Sequence, residues 1–223
     1  MNPEQHLLSR RNLLRGTFAT AALALFAPGV FADHLEATPP LTEGPFYPRH
    51  LPLDTDNDLI VVGNSTTPAV GEISHVGGRI LDTAGDPITD AQVEIWQCDA
   101  KGSYIASPSN DPDRNFQGYG RFLTGSTGEY RFRTIKPVPY PGRPAPHIHV
   151  KVSKAGRELL ITQIFIAGHP GNQRDGVFRG IHDPVERELS CADFKPIKDS
   201  KIGELAARFD VVLGRTPADR HEH

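Results

Sequence analysis

Short segments in which apolar and polar residues alternate dominate the chain after residue 72. Gly, Pro, Asn and Asp separate these segments, and many of the apolar positions are β-branched or aromatic. Alternation with a period of two is typical of strands that bury one face. The pattern predicts strands at residues 73–81, 92–97, 129–134, 147–153, 159–166 and 209–213.

The remaining segments show little helical periodicity. Residues 200–208 favour one short helix, and the proline-studded residues 33–71 indicate an irregular N-terminal arm. Several short strands with few helices predict a mainly β, single-domain sandwich over residues 72–215. Residues 216–223 are expected to be a disordered tail.

The N-terminus carries the features of an export signal. Arg10 and Arg11 precede an apolar stretch at residues 17–26, and small residues up to Ala32 suggest a cleavage site. The apolar stretch is short for a transmembrane helix, so we expect no stable membrane anchor. Residues 1–32 are therefore predicted to be a twin-arginine signal peptide of a periplasmic or secreted protein, with an uncleaved anchor as the alternative.

Charge and cysteine content narrow the choice of partners. Removal of residues 1–32 takes away three arginines and one glutamate, so the formal net charge goes from −3 to −5. Without a basic excess, we expect no nucleic-acid partner. Cys98 and Cys191 are the only cysteines of the chain. They can form a disulfide in an oxidising compartment, or Cys98 can be a buried thiol.

The segment from residue 140 to residue 150 concentrates the candidate chemistry. His147 and His149 begin a predicted strand, so both side chains point to one face with Cα atoms roughly 7 Å apart. Two imidazoles at that spacing can bind one metal ion, and imidazole suits zinc, copper, iron and nickel. A pair of ordinary strand histidines is the alternative.

Two tyrosines extend this candidate metal site. The phenol of a free tyrosine has a pKa of about 10, so its binding as phenolate requires a highly charged cation such as ferric iron. Tyr140 lies between Pro139 and Pro141, which stiffen its segment, and Tyr104 follows a turn-like stretch. The alternative for both tyrosines is a ring that packs on the sheet.

With these residues, the chain resembles the intradiol ring-cleaving dioxygenases over residues 41–170. The resemblance includes Thr-Glu-Gly-Pro-Phe-Tyr-Pro at residues 42–48 and Ala-Gln-Val-Glu-Ile-Trp-Gln at residues 91–97. Further matching segments lie at residues 85–87, 102–104, 115–116, 120–121, 128–130 and 132–137, before Tyr140 and the histidine pair. Their shared order carries the resemblance. It implies two sheets of mixed topology that pack face to face.

The resemblance also implies a cofactor and its ligands. In this family two tyrosines and two histidines bind non-haem iron(III), and the matching positions are Tyr104, Tyr140, His147 and His149. By its position in the motif, Tyr140 is the tyrosinate that leaves the metal when substrate binds and then acts as a base.

Other site residues follow from the same resemblance. Arg143 matches an arginine that stabilises negative charge on the substrate ring, and Gln163 matches a glutamine near the iron. Arg143 lies four residues before His147, whereas three is usual, so either the loop bulges or the arginine points elsewhere. The substrate-pocket candidates are Gly44, Pro45 and Phe46.

The function implied is cleavage of a catechol-type ring, such as protocatechuate, catechol or a hydroxylated relative. The co-substrate is O2, the product is a cis,cis-muconate-type dicarboxylate, and the enzyme is a homo-oligomer. Two other interpretations stay open from the residues alone. One is an exported, non-catalytic β-sandwich binding module, and the other is a zinc or copper enzyme that uses the histidine pair.

Overall fold

The computed structural model describes residues 34–214. The predicted signal peptide at residues 1–32 and the predicted tail at residues 216–223 lie outside the described residues. Within residues 34–214, no helix is both long enough and apolar enough to cross a membrane.

The described residues form ten strands, two short α-helices and one 3-10 turn. The strands are β1 (Ile73–Asp82), β2 (Ala91–Trp96), β3 (Tyr119–Leu123), β4 (Glu129–Ile135), β5 (His147–Lys154), β6 (Arg157–Ile166), β7 (Cys191–Ala192), β8 (Lys195–Pro196), β9 (Leu205–Arg208) and β10 (Val211–Leu213). The helices are α1 (Gly176–Gly180) and α2 (Pro184–Leu189), and the 3-10 turn is Asn172–Arg174.

The strands form two five-stranded sheets. In the first sheet, β1 pairs antiparallel with β4 and parallel with β9 and β10, while β8 extends the sheet beyond β9. In the second sheet the order is β3-β2-β5-β6-β7, and all neighbours are antiparallel except β6 and β7. The predicted mainly β fold with mixed sheets is confirmed.

The predicted helix at residues 200–208 is wrong. Leu205–Arg208 is strand β9, which runs parallel to β1. Leu205 and Ala207 are buried, whereas Ala206 and Arg208 are exposed, so the four residues alternate as a strand does. Leucine, alanine and arginine all favour helices in isolation, but pairing with β1 and burial of one face override that preference.

Apolar side chains between the two sheets form the main core. Val76 and Ile80 of β1 belong to this core together with Val150 and Val152 of β5. Burial of each such side chain contributes about 2 kcal/mol to folding. Because residues in a strand alternate between faces, the histidines at positions 147 and 149 point away from this core. The functional site therefore lies on the opposite face of the second sheet.

The N-terminal arm covers that face and the edges of both sheets. The amide of Leu59 donates to Arg133 of β4 at 2.7 Å, and the amide of Arg121 of β3 donates to Thr55 at 3.1 Å. The amide of Leu41 donates to Ile161 of β6 at 2.8 Å. These bonds satisfy strand edges that would otherwise be open to pairing with another chain.

Gly78 permits a close approach between β1 and the connection from β9 to β10. A Cβ atom at position 78 would lie 1.9 Å from the carbonyl oxygen of Phe209. Only glycine fits there without movement of the backbone. Cys98 and Cys191, in the described part of the chain, are both free, with Cys98 buried.

Candidate metal site

Strand β5 brings His147 and His149 to one face, as the sequence predicts. Both side chains are almost completely buried, and their ring centroids lie 4.9 Å apart. Buried polar groups normally have hydrogen-bond partners, so two buried imidazoles need an explanation.

One nitrogen of His147 is fixed by the backbone. Its Nδ1 lies 2.8 Å from the carbonyl oxygen of Ala145. Because a carbonyl only accepts, Nδ1 carries the proton and Nε2 carries the lone pair. Among residues 34–214, Nε2 has no hydrogen-bond partner. A lone pair that is fixed in direction and free of protein partners suits a metal ion.

A different contact orients His149. Its ring stacks on Trp96 of β2, with centroids 4.8 Å apart and planes at 7°. The two residues face each other in the register of β2 and β5. Neither ring nitrogen of His149 has a hydrogen-bond partner in the described part of the chain. Stacking on Trp96 therefore fixes the orientation of the His149 ring, whereas a hydrogen bond fixes the orientation of the His147 ring.

The environment keeps both imidazoles neutral. Burial, reinforced by the nearby charge of Arg143, lowers the pKa of His147 to about 4. Burial, followed by the effects of His147 and Arg143, holds the pKa of His149 well below its usual value of 6.5. Neutral imidazole is the form that binds metals, so both rings are ready for ligation near pH 7.

Tyr104 and Tyr140 complete a ring of four aromatic donors. Their centroids are 5.3 Å apart. Tyr140 lies 5.6 Å from His147, and Tyr104 lies 6.1 Å from His149. The hydroxyl of Tyr104 is buried and lacks a hydrogen-bond partner within residues 34–214. The structure thus brings all four predicted ligands together.

A tight turn positions Tyr140 and Arg143. The amide of Tyr140 donates to the carbonyl oxygen of Arg143 at 3.1 Å, and the amide of Arg143 donates back at 2.9 Å. Pro141 and Gly142 are the central residues, and Gly142 has a φ of +88°. Proline followed by a residue with positive φ is the signature of a type II turn.

Burial disfavours ionisation of both phenols in the metal-free site. It raises the pKa of Tyr104 far above 10, and Tyr140 beside it adds to the effect. Burial also raises the pKa of Tyr140, although Tyr104 and Arg143 oppose the shift. A phenolate at either position therefore needs a cation next to its oxygen.

Arg143 reaches the site despite its unusual spacing from the first histidine. Its Nε donates to Asp175 Oδ2 at 2.8 Å, and its Nη2 donates to Gln163 Oε1 at 2.8 Å. Gln163 faces His149 in the register of β5 and β6 and donates from Nε2 to the carbonyl oxygen of Thr42 at 2.8 Å. Arg143 and Gln163 thus form one hydrogen-bonded group beside the histidines.

The three pocket candidates differ in position. Phe46 stacks on Tyr104, with centroids 4.5 Å apart, and meets Tyr140 edge-on at 5.9 Å. Gly44 has a φ of +68°, and a Cβ atom there would lie 3.5 Å from Cε1 of His149. Pro45 is exposed. Gly44 and Phe46 therefore lie against the four predicted metal ligands, whereas Pro45 faces solvent.

Two residues that support the site are not predicted from the sequence. Asp175 begins helix α1 and caps it, so its sequence context suggests only a helix cap. Trp96 is fully buried, and its flat face supports His149. The register of β2 against β5 brings about this contact, and neither strand alone reveals it.

The additional donors near the histidines are phenols. Within residues 34–214, no group of three or more His, Cys, Asp or Glu side chains is placed to hold a metal ion. Zinc sites in proteins draw on these side chains, whereas phenolate oxygen suits a harder, more highly charged metal. The chemistry of the donor set therefore fits ferric iron.

Comparisons with known proteins agree with this geometry. Residues 42–214 match the family model described as Dioxygenase. The β chain of protocatechuate 3,4-dioxygenase from Burkholderia cepacia is 35% identical over 182 residues, which cover 76% of each protein. Hydroxyquinol 1,2-dioxygenase from Nocardioides simplex is 32% identical over 201 residues, which cover 81% of this chain and 66% of that enzyme.

A solved structure of a dioxygenase domain is similar to this chain in sequence and in fold. The dioxygenase domain of a dioxygenase and carbohydrate-binding protein fusion from Streptomyces sp. SirexAA-E is 31% identical, with a TM-score of 0.61. The match covers 81% of this chain and all of that domain. The chain belongs to the intradiol ring-cleavage dioxygenase family and is an oxidoreductase of that class. The binding-module and zinc or copper interpretations gain no support from these relatives.

Proposed function

We propose that this protein is an iron(III)-dependent intradiol dioxygenase that cleaves a catechol-type ring with O2 to a cis,cis-muconate-type dicarboxylate. The observation that carries the proposal is the convergence of two tyrosines and two histidines. Among residues 34–214, the Tyr104 hydroxyl, Nε2 of His147 and both ring nitrogens of His149 are buried without a hydrogen-bond partner. The ligands would be Tyr104, Tyr140, His147 and His149. Family members generally use non-haem iron(III), which fits this donor set.

The two tyrosines are suited to different tasks. Tyr104 is buried beneath the ring of Phe46, so it fits a ligand that stays in place. Tyr140 is only partly buried and lies in the tight turn formed by residues 140–143. It fits a ligand that releases the metal, and its phenolate oxygen would then accept a proton from a substrate hydroxyl.

Bound iron(III) would act as a Lewis acid that draws electron density from the catecholate ring. The Arg143 guanidinium would stabilise negative charge on that ring during reaction with O2. Its hydrogen bonds to Asp175 and Gln163 fix its direction before substrate arrives. A donor that is already oriented needs no reorganisation in the transition state.

The substrate would carry two adjacent ring hydroxyls. The relatives include enzymes named as protocatechuate and hydroxyquinol dioxygenases, and both of these compounds carry two adjacent ring hydroxyls. Protocatechuate, catechol and a hydroxylated catechol are the candidates. Gly44 and Phe46 would line the substrate pocket, and Pro45 would contribute at its rim.

We also propose export and self-association. The arginine pair and short apolar stretch within residues 1–32 support a twin-arginine signal and a periplasmic or secreted location. Homo-oligomerisation would agree with the family.

The test is oxygen consumption and diacid formation by iron-loaded protein with each candidate catechol. His149→Ala should abolish turnover and iron retention because it removes a ligand. His75→Ala is the control, since His75 is exposed and pairs with Glu204 on the other sheet. Turnover at the wild-type rate by His149→Ala would contradict the ligand assignment.

A further inference from the structure

A fully buried carboxylate supports the arginine of the site. Asp175 has no exposed surface, and its Oδ2 accepts from Arg143 Nε at 2.8 Å. A buried carboxylate is costly unless a charge and hydrogen bonds compensate it. Burial opposes ionisation of Asp175, but the hydrogen bond and charge of Arg143, together with the amides of Phe178 and Ala145, outweigh it, so the pKa of this carboxyl is lowered.

The two oxygens of Asp175 serve different partners. Oδ1 accepts from the amides of Val177 at 3.0 Å and Phe178 at 3.2 Å, which caps helix α1. Oδ2 accepts from Arg143 and, at 3.4 Å, from the amide of Ala145. Capping requires only one acceptor oxygen. The second oxygen is therefore free to hold the loop that carries Arg143.

The same loop holds one of the histidines. Ala145, whose amide approaches Asp175, presents its carbonyl oxygen to His147 Nδ1. Gly171 packs directly against this loop, because a Cβ atom there would lie 1.9 Å from the carbonyl oxygen of Pro144. The segment that leads into α1 thus packs against residues 143–145 and restrains their position.

This arrangement fixes Arg143 although it lies four residues before His147. The ion pair with Asp175 and the bond to Gln163 fix Nε and Nη2, so the guanidinium plane has one orientation.

We infer that Asp175 is a positioning residue for ring cleavage: through its ion pair with Arg143 it holds the guanidinium in the orientation needed to stabilise charge on the substrate. The inference rests on the proposed function of the site. Within residues 34–214, the side-chain hydrogen bonds and ion pair of Asp175 go to Arg143, Ala145, Val177 and Phe178 and to none of the four proposed metal ligands, so we expect its loss to leave iron bound.

The test is a double-mutant cycle on kcat with Arg143→Ala, Asp175→Ser and the double variant. Serine keeps the capping acceptor but cannot reach Arg143. Asp175→Ser should lower kcat about 10- to 100-fold, because a catalytic group displaced by about 1 Å can cost 100-fold. KM, iron content and the visible spectrum should change little. In the Arg143→Ala background, Asp175→Ser should change kcat less than about twofold.

Two further variants separate positioning from stability. Asp183→Ser is the matched control, since Asp183 caps α2 through the amide of Val185 at 2.7 Å and lies on the exposed surface. It should leave kcat unchanged. Asp175→Asn has the size of the native residue and a capping oxygen, and it provides a second test of the lost charge if the serine variant folds poorly.

Each outcome bears on the inference. Equal loss of kcat from Asp175→Ser in both backgrounds would show that Asp175 acts without Arg143 and would overturn it, as would an unchanged kcat in both Asp175 variants. No turnover of any catechol by iron-loaded wild type would instead refute the proposed function, and the positioning role would fall with it.

Discussion

The imidazole of His149 lies parallel to the indole of Trp96, at 4.8 Å between centroids. Tyr47 meets the indole edge-on at 5.0 Å, and its hydroxyl donates to Glu94 at 2.9 Å. Metal-bound histidines usually donate their second N–H to an oxygen. In the described part of this chain, packing against an aromatic ring takes over that orienting role for His149.

Truncation of the indole should therefore weaken iron binding. Trp96→Leu removes the flat surface under His149, and we expect iron to leave about 10-fold faster into a chelator, as loss of an orienting contact does in other metal sites. Trp96→Phe keeps a ring and should retain most of the iron. Phe132→Leu, in the core between the sheets, is the control, which should lower stability without changing iron release. Equal release rates for the wild type and Trp96→Leu would contradict this role.

Each tyrosine ligand should have its own effect on colour and rate. Tyr104→Phe and Tyr140→Phe each remove one phenolate, so each should reduce the visible tyrosinate-to-iron absorption and lower kcat by at least about 100-fold. Tyr130→Phe is the comparison, because the Tyr130 hydroxyl donates to Phe209 at 2.5 Å far from the site. Its loss should cost about 1 kcal/mol of stability with no change of colour. Full colour in Tyr104→Phe would exclude Tyr104 as a ligand.

The metal-free protein should lose stability in mild acid. Because burial lowers the pKa of His147 to about 4 from 6.5, the unfolded chain binds a proton between these pH values that the folded chain does not. The stabilising contribution is complete above pH 6.5 and declines as the pH falls towards 4, by about 3 kcal/mol for this residue.

Urea unfolding of the metal-free protein at pH 7.5 and pH 4.5 measures this effect. His147→Leu should show a smaller decrease in the free energy of unfolding between the two pH values than the wild type. Phe132→Leu, which changes the core without removing a titratable group, is the control and should keep the wild-type dependence on pH. A decrease in His147→Leu as large as in the wild type would mean that His147 is not the source.

The close approach at Gly78 predicts a position-specific loss of stability. Gly78→Ala places a methyl group against the carbonyl oxygen of Phe209, so the free energy of unfolding should fall by about 2–3 kcal/mol. Gly125→Ala is the control, since a Cβ atom there meets no atom within 4 Å. A thermal or urea unfolding curve measures both, and equal effects of the two variants would argue against the steric explanation.

The sequence predicts those parts of the fold in which periodicity and local motif agree. Strand β5 begins at His147 as predicted, because apolar residues alternate with polar ones from that position onward. Strand β3 was not predicted, since its glycine-containing segment lacks clear alternation. In β9, local helix preference and strand pairing disagree, and only the contact with β1 decides between them.

The site residues show the same difference between features that a local sequence pattern predicts and features that depend on tertiary contacts. Tyr140, His147 and Arg143 lie within eight residues, so one motif reveals them. Asp175 lies 32 residues from Arg143 in sequence, and its contact depends on how the segment before α1 packs on the loop. Contacts of that kind follow from tertiary packing and leave no local pattern in the chain.

The most direct test of the central claim is the visible absorption spectrum of the iron-loaded protein, before and after anaerobic addition of catechol or protocatechuate. The four-ligand site predicts a red-brown tyrosinate-to-iron(III) band that shifts when substrate binds. A colourless protein that contains one iron per chain by metal analysis would contradict the tyrosine-ligated ferric site.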